Sequence, residues 1–531
     1  MLQSTGHYHS TINHLIFEDK KMSQTNTQPD FVGLRGILWP IHSFELKKFL
    51  PMGFMMLCIL FNYTILRDIK DVLVVLAPAG GAETISFLKL YGVTPSAILF
   101  MVVFVKLANA LSRENLFYAI IVPFLVFFAA FAFVIYPNKE ALHMSLETIK
   151  SLQAAYPTFH WVIPVVGNWS FSLFYILAEL WGSVVLSMLF WQFANQITKV
   201  YEAKRFYGLF GMIGNFGLML SGSLIFFCSQ FAKAMEATTV DKSAAFSFNL
   251  KLQMTMVAVA GLLTIGIYWW MQRNVLTDPR LYEVGQESGG KKKKPKLSLS
   301  ESFKYIVSSP YLGLIAVIVL AYGVSINLVE GVWKGQIRIR FPNENDYAAF
   351  MGQFSFSTGL TTVILMLIGN NILRRLSWFG AAIITPIMVL VTSFVFFGFI
   401  LYGNAYNPFT ELTTPFMTTT IVMAAVMIGM VQNILSKATK YSLFDSTKQM
   451  AYIPLDPELK TKGQAAVEVI GGRAGKSGGA FIQSTLLMAV GGGATLASLA
   501  PILGGVVVVI VVLWCLSVAG LSKKFEDLTK K

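Results

Sequence analysis

The sequence predicts an all-α polytopic membrane protein with twelve transmembrane helices, and three observations predict it. The first is composition. Of 531 residues, 55% are hydrophobic and 13% charged, and the mean hydropathy is +0.60. A soluble chain carries about 25% charged residues, so this one needs lipid as part of its solvent. Its 43 Phe and 10 Trp suit interfacial aromatics. The second is a series of apolar runs, each long enough for the roughly 20 residues of a span. The runs are continuous rather than alternating, which excludes barrel strands. The third is a strongly basic stretch in the middle of the chain, which divides the runs into six and six.

In chain order the first six runs centre on Met56, Val103, Val126, Ile176, Met219 and Leu262. The second six centre on Ile318, Leu360, Val391, Val426, Phe481 and Val507. The fourth and eleventh carry charge and have the weakest claim to be spans. Residues 1–48 form a polar N-terminal segment without an apolar signal region. Met22 offers a second start, which would make residues 1–21 an extension. Residues 49–271 then make one six-helix bundle and 309–520 a second. Between them lies a linker, 272–308, whose Lys291-Lys292-Lys293-Lys294-Pro295-Lys296 run reads as a solvated connection. Residues 521–531 form a tail. Six plus six helices around a basic linker resemble the major facilitator architecture, in which substrate sits at midplane between two rocking halves. A faint internal echo accompanies this: Asn62 precedes Lys70 in the first run, and Asn327 precedes Lys334 in the seventh.

The net charge of +14 is assigned mainly to topology rather than to nucleic acid. With the N-terminus inside, the larger share of Lys and Arg falls on the same side as both termini, and positive loops stay cytoplasmic. Cys58, Cys228 and Cys515 each lie in an apolar run, with no disulfide or zinc spacing. The six His form no metal-spaced pair on a predicted helix. No cofactor, metal or obligate protein partner is implied.

The informative residues are charges where the bilayer should refuse them. Each costs at least about 2.5–3.5 kcal/mol to insert, so a cavity, a partner or a function must retain it. Arg67-Asp68-Ile69-Lys70-Asp71 ends the first run. On a continuing helix Arg67 and Lys70 share a face, as do Asp68 and Asp71; a local ion-paired cap at the interface is the plainer reading. Glu179 lies deep in the fourth run with no partner nearby in sequence, so the partner must come from another helix or the site must be wet. Glu330 and Lys334 form an i, i+4 pair that serves structure as readily as function. Glu468, Arg473 and Lys476 lie in the eleventh run. There Gly471–Gly479 imitates a phosphate-binding loop without its first glycine, since Ile470 stands five before Gly475. A small-residue helix face that admits a neighbouring helix fits it better. Lys106, in the second run, can snorkel.

The expected surplus is cationic: Lys70, Arg473, Lys476 and, less firmly, Lys106. Such a cavity suits a multiply charged anion such as a phosphate ester. Tyr175 and Trp333 stand beside the carboxylates and are positioned to stack a base, or simply to pack.

At these residues the chain resembles the nucleotide transporters of intracellular bacteria and plastids, the ATP/ADP translocases. The resemblance runs from about Leu38 to Ser522. It is most specific in Asn62-Tyr63-Thr64-Ile65-Leu66-Arg67-Asp68-Ile69-Lys70-Asp71, Glu179-Leu180-Trp181-Gly182-Ser183, Lys440-Tyr441-Ser442-Leu443-Phe444-Asp445, Met450-Ala451-Tyr452-Ile453-Pro454-Leu455-Asp456 and the Gly471–Gly479 run. It implies exchange of ATP for ADP, with phosphate accompanying ADP, across a bacterial inner membrane. Charged residues important to transport in that family match Lys70, Glu179, Glu330 and Lys476. Some members carry other nucleotides or couple to protons, and these four residues do not choose among them. A membrane enzyme is the rival class, but no nucleophile–base pair or metal cluster supports it.

Overall fold

A computed structural model of the protein describes residues 35, 39–236, 242–278, 281, 309–406, 415–456 and 463–529. The N-terminal extension and most of the expected linker lie outside the described residues. Every regular element described is helical. Twelve long helices follow in order: α1 (Leu46–Val75), α2 (Ala82–Ala110), α3 (Arg113–Leu142), α4 (Trp169–Ile197), α5 (Val200–Glu236) and α6 (Lys242–Asn274), then α7 (Pro310–Arg340), α8 (Glu344–Arg375), α9 (Trp378–Tyr406), α10 (415–451), α11 (Gln464–Val490) and α12 (Ala500–Thr529). All twelve expected centres fall inside them. Among the described residues eleven are long and apolar enough to cross a membrane, and α11 contributes the shorter apolar stretch Ser477–Val490. The fourth helix therefore qualifies despite Glu179. The helix α6 ends at Asn274 and α12 at Thr529.

Local chemistry sets the helix ends. The Ser112 hydroxyl accepts the Asn115 N–H at 3.2 Å to cap α3, and the Asn343 side chain accepts from Asn345 and Asp346 to cap α8. Ser309 caps α7, with Pro310 in the first turn where its missing N–H costs nothing. Three successive glycines, Gly491–Gly493, take φ of 64°, 59° and 77° and end α11 where a side chain would be strained. Among the described residues four helices contain π-helical turns: Leu88–Val93 in α2, Phe131–Ile135 in α3, Gly182–Phe190 in α4 and Lys440–Phe444 in α10. Such widened turns concentrate at functional positions.

Packing places α1 against α4, α5 and α6, and α7 against α10, α11 and α12. The two sets meet mainly where α5 crosses α8 and where α2 meets α7 and α11. Small residues permit these approaches. A Cβ on Gly222 of α5 would lie 2.5 Å from the Phe356 nitrogen and 2.6 Å from the Gly352 oxygen of α8. On α11, Gly471, Gly475 and Gly479 face Val319, Gly323 and Asn327 of α7. The Gly471–Gly479 run is thus a helix face against α7 and not a phosphate loop. Long apolar side chains such as Phe394, Leu99 and Phe227 remain exposed around the outside, as lipid contact requires.

Candidate functional site

The buried charges converge. Lys70 of α1 points its ammonium at Asp71 Oδ1 (2.8 Å) and at Glu179 Oε1 of α4 (3.1 Å). Asp71 turns its other oxygen to Lys334 of α7, also at 2.8 Å. Lys334 reaches Glu330 one turn away at 3.3 Å, and Lys437 of α10 approaches the same Glu330 oxygen at 3.9 Å. The result is a chain of alternating sign: Glu179, Lys70, Asp71, Lys334, Glu330, Lys437. It joins α4 and α1 to α7 and α10. Lys70, Asp71 and Lys334 are buried, whereas Glu179, Glu330 and Lys437 are partly open. Three ammonium groups face three carboxylates, so the chain carries no net charge.

Burial makes this arrangement costly unless each charge is paired and hydrogen-bonded. The Lys70 ammonium also lies 3.9 Å from the centre of the Tyr175 ring, and that of Lys437 lies 4.6 Å from the centre of Phe354, both cation–π distances. The hydroxyls of Tyr175 and Tyr347 are buried near the chain and make no hydrogen bond. Buried polar groups are nearly always satisfied, so these two are exceptions within the site.

A second knot lies beside the first. Arg67 Nε meets Asp68 Oδ1 at 3.0 Å, Arg67 Nη2 donates to Ser355 Oγ of α8 at 2.6 Å, and Ser355 Oγ donates to Asp68 Oδ2 at 2.5 Å. A surface cap is not what forms here: Asp68 is buried and tied to α8, while Asp71, three residues on, is tied to α7.

The structure therefore brings Lys70, Glu179 and Glu330 together, with Tyr175 beneath Lys70 and Arg67 nearby. Glu179 does find its partner on another helix. Lys70 belongs to no cationic surplus, because two carboxylates hold it. Trp333 is fully buried; its Nε1 donates to the Val426 carbonyl at 2.9 Å and its ring packs on Phe354. Lys106 sits on the exposed outer side of α2 and is not brought to the chain. Arg473 and Lys476 belong to α11, but their side chains lie outside the described residues.

Asp71 as the hub, Lys334 as a bridge between helices, and Lys437 and Lys89 were not singled out by sequence. Lys89 is the second residue of the π-helical turn of α2, and its ammonium donates to Asn327 Oδ1 of α7 at 2.7 Å. Around it, Gln483 of α11 donates to the carbonyls of Asn327 and Leu328 and pairs with Ser86 at 2.8 Å. Thr94 meets Ser477 at 3.0 Å. Farther along, Glu83 accepts the Leu496 N–H at 2.9 Å and Trp161 donates to the Ala494 carbonyl at 2.7 Å. At this end the first and second sets of helices are tied together.

Among the described residues no group of three or more His, Cys, Asp or Glu is placed to hold a metal. The family model described as TLC ATP/ADP transporter matches residues 24–525. ADP,ATP carrier protein 1 of Chlamydia pneumoniae is 48% identical over 507 residues, covering 95% of this chain and 96% of the relative. The protein of the same name from Rickettsia prowazekii is 48% identical, covering 96% and 99%. ADP,ATP carrier protein 3 of Rickettsia bellii is 45% identical, covering 94% and 99%. These relatives are carriers rather than enzymes. Among solved structures, a bacterial homologue of the iron transporter ferroportin superposes with a TM-score of 0.54 at 14% identity, covering 91% of this chain and all of that one. That likeness concerns the fold alone.

Proposed function

The chain belongs to the TLC ATP/ADP transporter family, and from that premise we propose that it exchanges ATP for ADP across a bacterial cytoplasmic membrane, with phosphate leaving beside ADP. The observation that carries this reading is the neutral chain from Glu179 to Lys437. It crosses from the first set of helices to the second through the Asp71–Lys334 contact. A polyanion entering between the sets competes with the carboxylates for the lysines. Its phosphates take over Lys70, Lys334 and Lys437 as charge-assisted partners, and the bridge opens as the substrate binds. Helices 49–271 and 309–520 are the two units that rock about the site, with both termini cytoplasmic. Lys476, matched to the family's transport residues, adds a further cation from α11.

Uptake into proteoliposomes tests this directly. Vesicles loaded with ADP and phosphate take up labelled ATP, vesicles loaded with buffer do not, and other internal nucleotides rank the selectivity. Equal uptake into buffer-loaded vesicles would replace the exchanger with a uniporter or a proton symporter.

A further inference from the structure

The charge count of the site leaves one lysine over. Three lysines of the chain are matched by three carboxylates, but Lys89 has no carboxylate oxygen within 4.0 Å among the described residues, and its sole partner is the neutral Asn327 amide. Yet Lys89 lies within electrostatic reach of Glu330, Lys334, Glu179 and Lys70, so it borders the same space. A half-buried ammonium with three donors and one neutral acceptor has two donors unused. Its direction is set from outside. Asn327 is held by its own bond to the Gly323 carbonyl, by Gly479 pressed against its Cβ, and by Gln483 on its backbone. The Thr94 hydroxyl and backbone N–H both take the Lys89 carbonyl and so fix the π-turn that aims the side chain.

We propose that Lys89 is a substrate-binding residue that takes the terminal phosphoryl group of the nucleotide. This rests on the nucleotide-exchange reading above. The chemistry follows from the pairing pattern. A phosphate that binds Lys70 or Lys334 must first displace a carboxylate at 2.8 Å. At Lys89 it displaces only an amide oxygen, and it supplies the negative charge that the empty site lacks. Lys89 is therefore the first cation the phosphate tail engages, ahead of the paired lysines.

The alternative for the same residue is a latch in which Lys89 merely ties α2 to α7 through Asn327. Purified protein in detergent separates the two by direct binding of ATP and ADP. Lys89→Met keeps the stem and removes the charge. It weakens both nucleotides by about tenfold or more, the scale of a hydrogen bond to a charged group, and Lys89→Arg restores most of the loss. Asn327→Ala removes the latch and keeps the charge, and it leaves affinity within about twofold, or less than about 0.5 kcal/mol, because the donor to the nucleotide is retained. Equal weakening by Lys89→Met and Asn327→Ala would overturn the proposal in favour of the latch. Unchanged affinity in Lys89→Met would overturn it outright. Binding of neither nucleotide by the unaltered protein would instead overturn the exchange reading, and this assignment with it.

Discussion

Asp71 offers the sharpest test of how the site works. Its two oxygens each sit 2.8 Å from an ammonium, one on α1 and one on α7. At an effective dielectric constant near 20, each contact is worth about 6 kcal/mol of gross Coulomb energy. Desolvation removes most of that, and deleting one partner of a buried pair costs about 3–5 kcal/mol net. Asp71→Asn keeps the shape, loses the charge and leaves the chain with a net charge of +1. A loss of about 3 kcal/mol is roughly a hundredfold in an equilibrium constant, withdrawn from the state in which α1 and α7 are bridged. If the bridge restrains the empty carrier, the variant returns empty more often. Proteoliposomes loaded with labelled ADP then lose it into nucleotide-free buffer at least about tenfold faster than wild type, a conservative share of that shift. Nucleotide affinity does not fall, because Lys70 and Lys334 each lose one of the two carboxylates that hold them. Asp71→Glu retains tight coupling. Thermal unfolding in detergent verifies that the variant is folded. Efflux as strictly dependent on external nucleotide as in the wild type, from a folded Asp71→Asn protein, would refute the idea that this bridge couples exchange.

Further outcomes follow from neighbouring residues. Lys70→Ala and Lys476→Ala should nearly abolish ATP uptake while inserting normally; wild-type uptake by either would remove that residue from the site. Glu179→Gln keeps size and loses the charge facing Lys70, so transport fails while the protein folds, and normal exchange would return Glu179 to a purely structural role. Gly222→Leu wedges backbone against backbone where α5 crosses α8, and overpacking of this kind costs about 1–3 kcal/mol or more. A melting temperature several degrees lower is expected, about 2–4 °C per kcal/mol or less at this size. Gly266→Ala meets nothing within 4 Å and should melt like the wild type.

The fold was legible because a span is a local property. Twenty apolar residues announce a helix whatever they pack against, and all twelve centres were read in place. The membrane cost of a charge is also local, which is why Lys70, Glu179 and Glu330 stood out. Partners are not local. Asp71 meets Lys334 across 263 positions of sequence, and no pattern within α1 shows that it, rather than Asp68, turns toward α7. Lys437 escaped notice because it lies eleven residues beyond the centre of an apolar run and looks like a span end. Lys89 escaped because it lies fourteen residues before Val103, the centre read for the second run. The helix over residues 82–93 is paid for by burial against α7 and α11, which hydropathy along the chain does not register. Trp333 was legible only as an aromatic beside a carboxylate; packing in three dimensions turned it into core.

Charge balance in the site also bears on which way charge moves. The chain from Glu179 to Lys437 is neutral when empty, so the net charge crossing the membrane is set largely by the cargo. The extra phosphoryl group of ATP adds roughly −1.5 to −2 by analogy with a phosphorylated side chain, partly offset by ionisation of ADP. Each uncompensated charge then feels about 2.3 kcal/mol per 100 mV. Strict exchange would push ATP entry against an inside-negative potential. A carrier importing ATP escapes that opposition if a second anion leaves with ADP.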